Sequence, residues 1–334
     1  MFDGKKILIT GGTGSLGQAL TKRLLQSKVS NIRIFSRNES DQIDMESKFN
    51  DKRLRFLLGD IRDYSRLLRA MESVDIVFHT AALKHVPKIE YNPFEGIKTN
   101  ILGSQNVIDA CLEQNVEKVI AIGTDKAVSP LNTYGATKAL MEKLFMSANN
   151  YVNREKHRTK FITIRYGNVL GSSGSVIPKF IDLIKKNKAV TITDPKMTRF
   201  TITMNEALDF ILNATKIGQG SEIFIPKMKA YDMSTLVKTL SELFGEVKQE
   251  IIGIREGEKL HEALINEDEI RYAWNTNNMY MLTNPHYELF NDQNLLEVYN
   301  DITKVENLDA YRSDVAEKIT TEELKEKIKT SNLL

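Results

Sequence analysis

A glycine-rich turn near the start of the chain constrains its fold more than any other feature. The apolar run at 5–10 has the length of a strand, and residues 17–26 place apolar side chains at helical spacing. Between them lies GGTGSLG (11–17), whose glycines follow the spacing G-x-x-G-x-x-G. Such glycines permit a tight turn and a close approach of the backbone to a pyrophosphate at the helix N-terminus. The pattern predicts a dinucleotide-binding unit.

The first half of the chain repeats this alternation of strand and helix. Further apolar runs of strand length, with helical patterns between most of them, lie at 31–37, 54–60, 74–82, 116–124 and 161–171. Because strands separated by helices pair in parallel through right-handed crossovers, we predict an α/β fold with a Rossmann-like doubly wound sheet. We assign residues 1–172 to this domain, with later segments returning to it. Residues 173–334 are assigned mostly to a smaller, interwoven substrate lobe and a C-terminal tail.

Charge and hydropathy limit the partners of the protein. Lysine and arginine number 46 and aspartate and glutamate 44, so the net charge of +2 gives no reason to expect nucleic acid or a membrane surface. No run of about eighteen apolar residues is present that could span a bilayer. Cys111 is the single cysteine, and the N-terminal residues lack a signal-peptide pattern. We therefore expect a soluble, cytoplasmic protein.

The end of the second strand bears on which dinucleotide binds. An acidic residue at this place would hold the ribose 2′-hydroxyl of NAD. The chain instead has Ser36, Arg37 and Asn38, and a guanidinium at Arg37 suits a 2′-phosphate, so NADP is favoured. Glu39 follows one position later and keeps NAD as the alternative.

Two short motifs around the fifth strand predict chemistry. Tyr134 and Lys138 form Y-x-x-x-K, and at i and i+4 of a helix they share one face, where a lysine ammonium would lower the pKa of the phenol. The phenolate could take a proton from a sugar hydroxyl as hydride leaves for nicotinamide. Asp125 and Lys126, at the carboxyl end of the strand, offer an acid and an amine to the substrate. The alternative for this second pair is an exposed ion pair.

Seven longer stretches carry a family resemblance: ILITGGTGSLG, IFSRNE, AALKHVPKIEYNPFEGIKTN, GTDKAVSPLNTYGATK, RYGNVLGSSGSVIP, ITDPKMTRF and GIREGEKLHE. Over about residues 5–265, the chain resembles extended short-chain dehydrogenase/reductases. More narrowly, it resembles the UDP-N-acetylglucosamine 4,6-dehydratases that invert C5 and open the pseudaminic acid pathway. LKHVP, TDKA, MTRF and GEKLHE are far more specific for this family than the glycine pattern.

The resemblance implies a redox-neutral dehydration. Tyr134 would deprotonate the C4 hydroxyl as hydride passes to NADP, Lys126 would remove the C5 proton, and Asp125 would protonate the departing 6-hydroxyl. Hydride would return to C6, and Lys126 would reprotonate C5 from the opposite face. A base must be neutral to accept a proton, so we expect burial beside the cationic Lys138 or Lys84 to lower the pKa of Lys126.

Together with the motifs above, the resemblance implies a set of contacts to a tightly bound NADP and a UDP-sugar. The predicted cofactor-binding residues are Gly11, Thr13, Gly14, Ser15, Leu16, Gly17, Ser36, Arg37, Asn38, Glu39, Asp60, Ile61, Thr80, Ala81, Lys84, Tyr134 and Lys138. The predicted substrate-binding residues are Lys84, Thr99, Asn100, Asn168, Val176, Arg199, Arg255 and Glu258. The two arginines would bind the diphosphate, since guanidinium forks suit phosphate oxygens, and Glu258 would bind the uridine ribose. The family also implies a homo-oligomer.

Other functions stay open on the sequence alone. A nucleotide-sugar 4-epimerase, or a dehydratase that retains C5, would keep the Tyr–Lys pair, but the generic epimerase does not need the Asp–Lys pair. A non-enzymatic cofactor-binding regulator would commonly lose the tyrosine or the lysine. His85 and His261 are isolated from other ligands in the sequence, so no metal is predicted.

Overall fold

A ten-stranded sheet forms the centre of the fold. The structure is a computed structural model and describes residues 1–150, 152–153, 155–172, 175–276, 278–284, 295–299, 301–331 and 333. The strands are β1 Lys6–Thr10, β2 Asn31–Ser36, β3 Leu54–Leu58, β4 Ile76–His79, β5 Lys118–Ile122, β6 Lys160–Ile164, β7 Asn168–Val169, β8 Val190–Ile192, β9 Thr198–Ile202, β10 Ile223–Pro226, β11 Lys229–Asp232, β12 Gln249–Ile251, β13 Ala263–Ile265, β14 Ala273–Thr276, β15 Met279–Leu282, β16 Thr303–Lys304 and β17 Tyr311–Arg312.

Helices connect most of the parallel strands and also build the smaller lobe. The α-helices are α1 Ser15–Leu24, α2 Glu39–Phe49, α3 Tyr64–Ala70, α4 Val86–Tyr91, α5 Pro93–Gly96, α6 Gly103–Glu113, α7 Thr133–Ala148, α8 Val176–Lys185, α9 Met204–Ile217, α10 Met233–Phe244, α11 Leu295–Val298 and α12 Thr321–Thr330. Short helical turns lie at Ile97–Leu102, Asp125–Ala127 and Ile270–Tyr272. No helix among the described residues is both long and apolar enough to cross a membrane.

The strand order of the large sheet is β16-β14-β15-β10-β6-β5-β4-β1-β2-β3. All pairs from β3 to β10 are parallel, and β15, β14 and β16 add antiparallel strands beyond β10. The predicted α/β class and doubly wound parallel sheet are confirmed. The chain builds outward from β1 to β3 and then crosses to β4 on the other side of β1. In open sheets of this kind, ligands bind at the carboxyl ends of the strands where the order reverses.

Both faces of the large sheet are covered, which explains the continuous apolar runs of its inner strands. Successive residues of one strand enter different cores: Phe78 packs in the core with α1 and α9, and Val77 in the core with α3, α6 and α7. Both side chains are fully buried. The strand ends are therefore rigid supports for whatever side chains follow them.

The smaller lobe packs around its own apolar core and takes part in the large sheet. Helices α8, α10 and α12 bury Phe180, Leu240 and Leu324 against one another and against the short strands between them. At the start of α12, the side chains of Thr320 and Glu323 cap each other's backbone N–H groups, which fixes where this helix begins. Before it reaches α12, the chain from beyond residue 172 also contributes β10 and β14–β16 to the large sheet.

Candidate active site

A cavity of about 910 Å³ opens at the carboxyl ends of β1 to β5. It lies where the strand order reverses between β1 and β4. Every predicted cofactor-binding residue except Glu39 lines this cavity. These residues come from the glycine-rich turn, from the segments that follow three strands, and from one helix. Glu39 opens α2 and does not line it, whereas Asp41, two positions later, does. The chain turns into the helix at Asn38, and the contact at Glu39 stays a prediction.

The turn after β1 fits a bound pyrophosphate. Gly11 has φ +66°, and a Cβ there would lie 2.8 Å from the backbone of Ala81. A Cβ at Gly17 would lie 2.5 Å from the carbonyl oxygen of Gly12. Gly14 caps α1 without a side chain, and the first turn of that helix has no acidic residue. The N–H groups of this helix end can therefore face an anion at close range.

The rim of this cavity carries the residue that suggested a 2′-phosphate. The side chain of Arg37 is 56% exposed, and its Nη1 lies 3.8 Å from Oδ2 of Asp60. Burial raises the pKa of Asp60, but hydrogen bonds from Arg62 and the charge of Arg37 outweigh it and lower that pKa below its usual value. Arg37 is thus held loosely beside the cavity, with its guanidinium accessible to a phosphate.

Helix α7 brings the predicted Tyr–Lys pair to the floor of the same cavity. The side chain of Asn132 accepts a hydrogen bond from the backbone N–H of Gly135 at 2.8 Å and fixes the start of the helix. Tyr134 lies in its first turn and Lys138 one turn later, and both line the cavity. The ammonium of Lys138 donates to the carbonyl of Ile122, and burial lowers the pKa of Lys138 to about 8.

The electrostatic environment of Tyr134 differs from the predicted one. Burial raises the pKa of Tyr134 to about 12. The charge of Lys126 and a hydrogen bond with Thr124 act in the opposite direction, whereas Lys138 is not among the groups that lower this pKa. The cation that favours the phenolate is thus Lys126, and the prediction that Lys138 plays this part is corrected.

The Asp125–Lys126 pair forms a short helical turn directly after β5, and it is not an exposed ion pair. Asp125 is 1% exposed, and Nζ of Lys126 lies 3.1 Å from its Oδ1. The same Nζ lies 3.4 Å from Oδ1 of Asn168 and 3.5 Å from Oε1 of Glu262. Within the described residues, Oδ2 of Asp125 is buried without a hydrogen-bond partner. A carboxylate so placed has capacity left for one more proton or donor.

The predicted direction of the Lys126 pKa is wrong. Burial alone would lower the pKa of Lys126, but the carboxylates of Asp125 and Glu262 outweigh burial and raise it above its usual value. Lys138 and Lys84, which were expected to lower it, are not among the groups that act on it; Arg199 is the cation that does. Lys126 is therefore an ammonium in this structure.

A second cavity, of about 490 Å³, adjoins the first and shares Lys84, Lys126 and Asn168 with it. The predicted substrate residues that line this second cavity are Lys84, Asn168, Val176, Arg199, Arg255 and Glu258. Thr99 lines the first cavity instead. Asn100 lines neither: its side chain bonds the N–H and C=O of Leu83 at 2.8 and 2.9 Å, and so positions the loop that carries Lys84. The direct substrate contact predicted for Asn100 is corrected to this indirect one.

The two predicted diphosphate ligands have different surroundings. Arg199 is 8% exposed, and its Nη1 donates to the carbonyl of Thr198 at 2.7 Å. Arg255 lies at the rim with its side chain 52% exposed and 3.8 Å from Glu258. One oxygen of Glu258 is buried and has no hydrogen-bond partner within the described part of the chain. Arg255 and Glu258 thus retain free hydrogen-bonding capacity on the cavity wall.

His85 and His261, the two histidines considered as metal ligands, are not part of a ligand cluster within the described residues. His85 is at the N-cap position of α4, without a capping hydrogen bond from its side chain, and lines both cavities. Nδ1 of His261 lies 2.8 Å from the hydroxyl of Thr198. Across the described ranges, histidine, cysteine, aspartate and glutamate side chains do not form a group of three or more that could hold a metal ion.

Sequence reasoning missed two residues of the site, Thr124 and Glu262. Thr124 lines the first cavity, and its hydroxyl donates to Oδ1 of Asp125 at 2.9 Å. Glu262 is 3% exposed beside Lys126 and lines the second cavity. Glu262 is the last residue of GEKLHE, so the motif contained the signal. The role of Glu262 could not be recognised from the motif, because its position depends on the pairing of that segment with the C-terminal part of the chain, which periodicity does not show.

Residues 7–284 match the protein family described as "Polysaccharide biosynthesis protein". A Campylobacter jejuni protein named UDP-N-acetylglucosamine 4,6-dehydratase (inverting) is 49% identical over 285 residues, which are 85% of this chain and 84% of that protein. A Rickettsia felis protein named UDP-glucose 4-epimerase is 42% identical over 331 residues, or 98% of this chain and 96% of that protein. The solved structure of Pen from Bacillus thuringiensis has a TM-score of 0.90 at 40% identity, over 100% of this chain and 99% of that one.

Proposed function

The chain belongs to the polysaccharide biosynthesis protein family, and from this premise we propose that it is an inverting UDP-N-acetylglucosamine 4,6-dehydratase. The observation that carries the proposal is the position of Lys126. Its Nζ lies 3.1 Å from a buried carboxylate, on the wall shared by the two cavities. Oxidation at C4 requires only a tyrosine and a cofactor, whereas loss of water across C5 and C6 requires an additional acid and base.

The first cavity takes a nicotinamide dinucleotide, which would supply the hydride acceptor for C4 and the hydride donor for C6. The turn at 11–17 would hold the pyrophosphate, and the strand ends at 36–38 and 60–61 would hold the adenosine. Lys138 and Tyr134 line the same cavity. Because hydride taken from the sugar returns to it, the reaction has no net oxidation.

Tyr134, in its phenolate form, is proposed to take the proton of the C4 hydroxyl. The phenol is buried, which disfavours its ionised form, and its pKa is about 12. Lys126 and Thr124 are the features of this site that favour the phenolate. The ketone that forms at C4 makes the neighbouring C5–H bond acidic, which prepares the second step.

Asp125 and Lys126 are proposed to act as one acid–base pair. Movement of a proton from the Lys126 ammonium to Asp125, over the 3.1 Å that separates them, leaves a neutral amine and a carboxylic acid. The amine then takes the C5 proton as the C6–O bond breaks, and the carboxylic acid supplies the proton that turns the departing hydroxide into water. Asp125 does not line either cavity, whereas Thr124 lines the first and bonds Asp125, so its hydroxyl offers a route for this proton. Lys126 returns a proton to C5 from the opposite face, which inverts that carbon. The proton that Tyr134 took from the C4 hydroxyl then passes back to the pair, for which Thr124 offers a route because it bonds both Tyr134 and Asp125.

The first prediction concerns the product. Incubation of the purified protein with UDP-N-acetylglucosamine in D₂O should give a UDP-4-keto-6-deoxy sugar without net consumption of the nicotinamide cofactor. Proton NMR should show loss of the C5 proton signal, because the base exchanges its proton with solvent and returns deuterium. The couplings among the remaining ring protons should be those of the inverted configuration. Couplings of the retained configuration among those protons would instead identify the retaining dehydratase, and a reaction without protein is the control.

A 4-epimerase is the second candidate, because the Rickettsia felis relative of that name aligns with 98% of this chain. An epimerase would return the hydride to C4, so the same NMR experiment would show a C4 epimer with its 6-hydroxyl intact. That outcome, with no 4-keto product, would contradict the dehydratase. The buried acid–base pair at Asp125 and Lys126 favours dehydration.

We propose NADP rather than NAD as the cofactor, on the basis of the accessible guanidinium of Arg37 at the cavity rim. In the Arg37→Leu variant, the ratio of NADP to NAD released from the denatured protein should fall by about 10- to 100-fold, the effect of losing a charged hydrogen bond. Mass spectrometry of the released nucleotide measures this ratio. Arg62→Leu is the matched control, because Arg62 also contacts Asp60 but does not line the cavity. An unchanged ratio in Arg37→Leu would contradict the assignment.

The homo-oligomer, the cytoplasmic location and the place of the product in pseudaminic acid synthesis stay predictions from the sequence.

A further inference from the structure

Glu262 is a buried carboxylate whose contacts are with cations of the active site. Its Oε1 lies 3.5 Å from Nζ of Lys126 and 3.9 Å from Nε of Arg199. Its Oε2 is buried and, within the described residues, has no hydrogen-bond partner. A buried carboxylate costs several kcal/mol unless it is paired, so the contacts with Lys126 and Arg199 are what offset the burial of Glu262.

The backbone of Glu262 is held independently of its side chain. Its N–H donates to the hydroxyl of Ser313 at 2.9 Å, and its carbonyl accepts from the N–H of Ser313 at 2.8 Å. Strand β13, which starts at the next residue, pairs with β17 from the C-terminal part of the chain. The side chain is thus aimed at Lys126 by a fixed strand rather than by its own contacts.

We propose that Glu262 is a positioning residue for the Asp125–Lys126 pair: it holds Nζ of Lys126 at the shared wall and keeps one proton on the pair. This inference rests on the proposed function, because only the dehydration needs that pair. The Asp125–Lys126 pair can act only while it carries one proton, which either residue can hold. Without that proton, the pair has none to give to the departing hydroxide. A second carboxylate 3.5 Å from Nζ opposes the loss of that proton.

Other charges act on the same amine and must be kept constant in any test. The titratable or charged groups that interact with Lys126, besides Glu262, are Asp125, Tyr134, Arg199, Tyr231 and Lys259. Burial lowers the pKa of Lys259, whereas burial raises that of Tyr231 to about 12. A change of Glu262 alone leaves all five residues in place.

The test is the titration of Lys126 in the Glu262→Gln variant, which keeps the shape of the side chain and removes its charge. NMR of protein labelled at the lysine ε position, with Lys126→Arg to assign the signal, should place the Lys126 pKa about one to three units lower than in the wild type. In the pH profile of kcat/KM, the alkaline fall in activity should move to lower pH by a similar amount. The sign follows because loss of a negative charge makes the ammonium easier to deprotonate.

The control is Glu267→Gln, which removes one charge from an exposed position five residues along and should leave both readouts unchanged. Glu262→Asp keeps the charge, so the Lys126 pKa in this variant should lie close to the wild-type value. If Glu262→Gln does not fold, Glu262→Asp is still expected to shift the titration slightly downward, because its carboxylate is withdrawn. A Lys126 titration that is the same in wild type and in the folded variants overturns the proposal. Because the titration needs no substrate, it is independent of whether the wild type performs the dehydration.

Discussion

The Lys126→Ala variant should lose formation of the 4-keto-6-deoxy sugar by about 10²- to 10⁴-fold, the range of a general base. Without the amine, no group of the pair can take the C5 proton, and Asp125 loses the proton that Lys126 shares with it at 3.1 Å. The oxidation at C4 should continue at a reduced rate, because Tyr134 keeps Thr124 but loses the charge of Lys126. Absorbance of reduced nicotinamide should therefore appear and persist after substrate is added.

Lys126→Arg separates the two effects of this residue. A guanidinium retains the charge beside Tyr134 but does not deprotonate in proteins, so C4 oxidation should be closer to the wild-type rate while water loss stays blocked. Lys185→Ala, at an exposed position in the last turn of α8, is the control for loss of a lysine elsewhere. Unimpaired C6 deoxygenation in Lys126→Ala would remove Lys126 from the mechanism.

The local pattern of the sequence was sufficient to predict the parallel core of the sheet. Apolar runs of strand length separated by helical patterns locate β1 to β6. The glycine turn indicates that the dinucleotide site lies at the end of β1. These features depend on neighbours in sequence, which periodicity records. Strands β14 to β16 were not predicted, because each has four residues or fewer, which is too short for an alternating pattern to indicate a strand.

The membership of the site was predictable, but its electrostatics were not. Motif spacing placed Tyr134, Lys138 and Lys126 on one cavity, and the structure brings them together there. The direction of the Lys126 pKa was wrong because two carboxylates outweigh burial. The larger effect comes from the adjacent Asp125, and the other comes from Glu262, which is 136 positions away in the chain and reaches the site at the start of β13. A pKa depends on every charge within a few ångströms, and sequence distance does not reveal those neighbours.

The Tyr134→Phe variant should fail at an earlier step than Lys126→Ala. Loss of the phenol removes the acceptor for the C4 hydroxyl proton, so product formation should fall by about 10²- to 10⁴-fold. Reduced nicotinamide should not accumulate, and deuterium should not enter C5, because the ketone that acidifies this position does not form. Tyr91→Phe, on a side chain that is 86% exposed at the end of α4, is the matched control. Exchange at C5 in Tyr134→Phe would mean that C5 is acidified without oxidation at C4. The order of steps would then have to be reversed, with Lys126 and Asp125 acting before the tyrosine.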